Sequence, residues 1–225
     1  PQRKESLMPT TTAPAPARRH SKKRRFFRRR TLLLILLIAL GLFAAFSHFM
    51  HRPVTLTTLA EDWITVDLLP VNKYSRPGIE LKQVNGIVVH YTGNPGTSAE
   101  QTKSYFTNLA TSGETYASSH FIIGMDGAIL QCVPLNEEAY CSNSRNVDTV
   151  SIECCHPDSS GAFTEETYSA LVKLVRYLAD AYHLNSDDVI RHYDVTGKLC
   201  PYYYATNEDA WLAFKEDVFS GLWPF

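Results

Sequence analysis

The residues best suited to chemistry lie in two short runs about a hundred residues apart. One is Arg191-His192-Tyr193-Asp194-Val195-Thr196-Gly197-Lys198-Leu199-Cys200-Pro201, and the other is Val88-Val89-His90-Tyr91-Thr92. Two imidazoles and a thiolate supply three of the four ligands of a tetrahedral Zn²⁺ and leave one position for water. Lys198 stands two residues before Cys200, a cation beside a metal ligand. In a third run, Thr149-Val150-Ser151-Ile152-Glu153, strand alternation points Glu153 away from its apolar neighbours, onto an exposed face. A metal, a carboxylate base and a cation form a minimal kit for hydrolysing an amide.

These residues also resemble a family. His90 in "IVVHYT", then "SSHFIIGMDGAILQCVP", "VSIEC" and "HYDVTGKLCP" follow the order found in zinc-dependent N-acetylmuramoyl-L-alanine amidases of type 2. That group also contains the peptidoglycan recognition proteins and phage lysozyme-type amidases. The likeness runs from about Asp62 to Phe225. It implies that His90, His192 and Cys200 bind zinc, and that Glu153 and Lys198 are the catalytic carboxylate and lysine of the bacterial branch. It further implies that His120 is a substrate-side or supporting group rather than a ligand. Ser119 stands where several relatives carry a catalytic Tyr; those relatives generally lack the Glu, which favours the Glu-using branch. Ala139-Tyr140-Cys141 replaces a frequent Ala-Trp-His, so substrate contacts there differ from the family pattern.

The implied activity is cleavage of the amide between N-acetylmuramic acid and the first L-alanine of the peptidoglycan stem peptide. Two alternatives share the fold: a peptidoglycan-binding receptor without turnover, and a zinc peptidase acting on stem peptides. Receptors of this kind commonly lose the cysteine ligand, and Cys200 is present. A released phage endolysin suits a permanently anchored chain poorly. The expected state is a monomer.

The elements that must position these groups occupy only part of the 225 residues. Residues 1–30 hold 11 Lys and Arg against the single Glu5, so the formal charge of −1 conceals a basic head and an acidic body. Residues 31–50 carry no acid, Lys or Arg, and about 20 residues at 1.5 Å each span the hydrocarbon core of a bilayer. The basic cluster lies before this run, so the expected topology is a cytoplasmic head and an outer body facing the cell wall. A basic run abutting such a span is a topology signal, and nucleic acid is not an expected partner. Cleavage as a signal peptide is the competing reading, but Ala45-Phe46-Ser47 is a poor site and the head is long. The expected organisation is a disordered basic tail at 1–30, a transmembrane anchor at 31–50, a tether at 51–60 and a catalytic domain at 61–225.

Within that domain the expected class is α/β, a central mixed sheet flanked by helices. Strands are predicted at Gly86–Tyr91, His120–Met125, Ala128–Val133 and Thr149–Cys154, with Asp126-Gly127 as a hairpin turn. Helices are predicted over Ala99–Thr111 behind a Ser98/Gln101 capping box, over Glu165–His183 behind Thr164, and after Asn207 with Trp211, Phe214 and Val218 inward. His156 and His183 are expected at the surface. If Cys200 binds zinc, then Cys132, Cys141, Cys154 and Cys155 remain, and three pairings are open. Adjacent Cys154 and Cys155 face opposite ways on a strand.

Overall fold

The computed structural model describes residues 31–42 and 57–220. The chain divides into two units, residues 1–51 and 52–225. In the first, residues 31–42 form a helix whose leucines and isoleucines are exposed. Among the described residues no helix is long and apolar enough to cross a membrane. The expected basic tail, the rest of the expected anchor and most of the tether lie outside the described residues.

Among its described residues the second unit holds six strands: β1 (Ile64–Val66), β2 (Ile87–Tyr91), β3 (Phe121–Ile123), β4 (Ile129–Gln131), β5 (Val150–Cys154) and β6 (Val189–Arg191). They form one sheet in the order β1-β4-β3-β5-β2-β6. Only the β3–β4 hairpin is antiparallel, so the sheet is mixed. Gly127 at the hairpin turn has φ +80°, a value glycine adopts without a Cβ penalty. β2 is apolar on both faces because both are covered, and Ile87–His90 are all buried.

Helix α1 (Ala99–Ser112) starts at the Ser98/Gln101 capping box and ends at Gly113, which lies in the left-handed region. Helix α2 (Glu165–Tyr182) starts at Thr164, whose side chain accepts from the Thr167 N–H. Two short helices, α3 (His192–Thr196) and α4 (Tyr202–Thr206), precede α5 (Glu208–Phe219), which Asn207 caps.

The helices divide the core into two layers. Leu171, Leu174 and Leu178 of α2 and Trp211, Phe214 and Val218 of α5 pack with Ile87, Val89, Ile152 and Cys154 on one face of the sheet. Ala99, Phe106 and Leu109 of α1 pack with Ile122, Leu130 and Cys155 on the other. Cys154 and Cys155 thus enter opposite cores. All five cysteines are unpaired thiols.

His156, expected at the surface, is instead buried: its ring lies 4.9 Å from that of Tyr91, and Nδ1 is 2.7 Å from the Asp158 carbonyl. His183 is exposed, closing α2 in the left-handed conformation.

Candidate active site

β5, β2 and β6 are adjacent and parallel, and each delivers one polar residue at its carboxyl end on the α1 side of the sheet. Crevices beyond the carboxyl ends of parallel strands are where α/β sheets gather ligands. β2 carries His90, β5 carries Glu153, and His192 follows β6 directly. His90 and Glu153 are register partners.

His192 is held in place by its neighbour. The guanidinium of Arg191, 5% exposed, donates to both carboxylate oxygens of Asp194, to Glu208 and to the Tyr204 carbonyl. This knot fixes α3 against α4 and α5. Cys200 returns to the site because the Tyr193 N–H donates to its carbonyl at 2.9 Å, closing the loop that contains Lys198.

The atoms of His90, His192 and Cys200 that could hold a metal ion lie within 4.8 Å of one another. His90 Nδ1 is 3.7 Å from Cys200 Sγ, and the two imidazole centroids are 4.7 Å apart. All three residues are buried. Burial, with Lys198 nearby, holds both imidazoles below their usual range and therefore neutral, the form that ligates metal. Burial and Glu153 push the Cys200 thiol up to about 12, while the Tyr91 backbone and Lys198 pull the other way. A divalent cation is the counter-charge that favours a thiolate there. Two neutral imidazoles and one thiol around a common point fit a zinc ion with one open position.

Glu153 departs from expectation. It is half-buried rather than exposed, with Cys141 lying against its carboxylate. Burial raises its carboxyl to about 8 against the opposing effects of Cys141 and Lys198. Oε1 accepts from Cys141 Sγ at 3.5 Å, whereas Oε2 is buried without a hydrogen-bond partner. Lys198 is exposed at the mouth.

His90, Glu153, His192, Lys198 and Cys200 all line one cavity of about 480 Å³. Tyr116 and Tyr140, edge-to-face at 5.5 Å, wall its other side.

His120 does not join them, and the expectation of a substrate-side role is corrected. It is 1% exposed. Its Nδ1 accepts from the Ser151 N–H at 3.0 Å and its Nε2 donates to the Glu137 carbonyl at 2.9 Å. Both ring nitrogens are therefore committed to joining β3, β5 and the 134–140 loop. Arg191, Ser142 and Asn143 also shape the site, and sequence alone assigns them no role. Their contacts cross 13 to 52 positions of chain, and no local pattern marks them.

Residues 80–203 match the family described as N-acetylmuramoyl-L-alanine amidase. The chain is 33% identical over 175 residues to the N-acetylmuramoyl-L-alanine amidase BlyA of Bacillus subtilis (strain 168), covering 68% of this chain and 46% of that protein. It is 32% identical over 172 residues to the N-acetylmuramoyl-L-alanine amidase CwlL of Bacillus licheniformis, covering 71% and 47%. The chain thus spans about half the length of the curated relatives it matches. The solved structure of PlyL superposes with a TM-score of 0.60 at 27% identity, over 70% of this chain and 98% of PlyL. The catalytic domain of XlyA gives 0.58 at 28% identity, over 69% and 98%. The match over residues 80–203 spans more than half of the chain and contains all five residues gathered in the cavity, and the chain belongs to the N-acetylmuramoyl-L-alanine amidase family.

Proposed function

We propose that this chain is a zinc-dependent peptidoglycan hydrolase that cleaves the amide between N-acetylmuramic acid and the L-alanine of the stem peptide. The observation that carries the reading is the convergence of His90, His192 and Cys200 within 4.8 Å, in the same cavity as the unpartnered Oε2 of Glu153. A zinc ion held by those three residues would supply a Lewis acid and a water acidified to near neutrality.

Glu153 accepts the proton of the attacking water at Oε2, the oxygen left without a partner. Burial raises its carboxyl, so a proton taken there is held more firmly than on a solvated carboxylate and can return to the leaving amine; Lys198 and a bound cation would favour the carboxylate form that first accepts it. Lys198 brings positive charge to the mouth of the cavity, where the scissile carbonyl oxygen becomes an oxyanion. Tyr116 and Tyr140 offer flat apolar surface to the rest of the substrate.

Sequence supports an anchored setting: a basic head, the apolar run 31–50, and a helix at 31–42 with its apolar side chains outward. In that setting the body works as a monomer on the outer side of the membrane, with the wall within reach of its tether.

Mass spectrometry of purified peptidoglycan after incubation with the protein tests the reading. Free stem peptides beginning with L-alanine, beside intact glycan strands, support it. Cuts inside the stem peptide would make the protein a peptidase, and binding without any product would make it a receptor.

A further inference from the structure

Three consecutive residues of one loop each touch a different member of the site. Cys141 Sγ donates to Glu153 Oε1 at 3.5 Å. Ser142 Oγ lies 3.0 Å from His90 Nε2. Asn143 Oδ1 accepts from His192 Nε2 at 2.7 Å. We propose that Cys141-Ser142-Asn143 is an orienting strap that sets the two histidine ligands and the catalytic carboxylate together. This rests on the zinc-hydrolase reading above.

The imidazole contacts are selective in a way that packing alone does not require. Both fall on Nε2. With Nε2–H directed at Asn143, His192 keeps the lone pair of Nδ1 for a metal. His90 behaves alike: Ser142 occupies Nε2, and Nδ1 is the nitrogen that faces Cys200. A metal-bound imidazole typically donates its second N–H to an oxygen that fixes tautomer and ring angle. One loop supplies that oxygen twice, from neighbouring residues.

The strap is itself braced. Asn146 Oδ1 accepts from the backbone N–H of Cys141 at 3.1 Å and of Ser142 at 2.6 Å. Ser118 Oγ accepts from the Tyr140 N–H at 2.9 Å. Asn143 has φ +54°, a left-handed conformation that Asn tolerates better than most residues. That bend turns the chain between Ser142, which serves β2, and Asn143, which serves the residue after β6. Cys141 leaves Glu153 Oε2 unpaired while holding Oε1, so the carboxylate is fixed without being satisfied.

The test uses the full chain in detergent and two readouts. Zinc affinity is measured by competition with a chromophoric chelator, and kcat and KM on a soluble N-acetylmuramoyl-peptide. Ser142→Ala and Asn143→Gly should each weaken zinc binding about 10- to 100-fold. Asn143→Asp, which keeps the acceptor and tolerates the same φ, should stay near wild type. Cys141→Ala should leave zinc affinity unchanged and lower kcat without raising KM, with Cys141→Ser restoring it. Zinc affinities of Ser142→Ala and Asn143→Gly within twofold of wild type would overturn the strap. So would equal losses in Asn143→Asp and Asn143→Gly, which indicate a merely structural role. A wild-type chain that binds no zinc would instead overturn the reading on which the strap rests.

Discussion

His90 on β2 and Glu153 on β5 are direct register partners in neighbouring parallel strands. Their side chains leave the same face of the sheet about one strand spacing apart, ~4.8 Å. The imidazole proposed to bind metal and the carboxylate proposed to accept a proton are thus positioned by backbone pairing rather than by loops, which favours precise geometry between them.

Glu153→Gln keeps the shape of the side chain and removes its basicity. Turnover should fall by about 10²-fold or more, the scale of a lost general base, while zinc content and fold persist. Steady-state kinetics beside metal analysis checks this. Near-normal activity with zinc bound would assign the proton transfer to another group.

His120 gives a stability prediction. Burial lowers its pKa from 6.5 to about 4 in the folded chain. Below pH 6.5 the unfolded chain takes up a proton that the folded chain refuses, so stability is full above that pH and declines as pH falls towards 4. Between pH 7 and pH 5 the contribution is about 2 kcal/mol. Denaturant unfolding at both pH values should show wild type losing more stability than His120→Gln by roughly that amount. Equal losses in the two proteins would show that His120 is not held neutral.

Much of the fold was legible because its signals are local. Ser98 with Gln101, Thr164, and Asn207 cap helices where their side chains suggested, and Asp126-Gly127 turns a hairpin. The strand β6 was not legible: Val189-Ile190-Arg191 is too short for a pattern and exists because it pairs with β2. The site divides in the same way. His90, His192 and Cys200 could be grouped from motif order and do converge. The burial of His120, of His156 and of the Glu153 carboxylate depends on chain segments far away in sequence, so residue type and alternation could not reveal it. Alternation gave Glu153 the correct face of the sheet but not what covers that face.

The anchored setting is tested on intact cells. External protease should digest the acidic body and spare a small membrane-bound fragment containing residues 31–50. A soluble body with a new N-terminus near residue 48 would indicate a cleaved signal peptide and an enzyme free to diffuse.

The central claim is that three residues from two distant runs build one metal site on this sheet. The most direct measurement is zinc per chain by elemental analysis, in wild type and in Cys200→Ala. The account predicts one zinc per wild-type chain and a large loss in the variant, because Cys200 is the only ligand that brings negative charge. Full zinc retention by Cys200→Ala would contradict it.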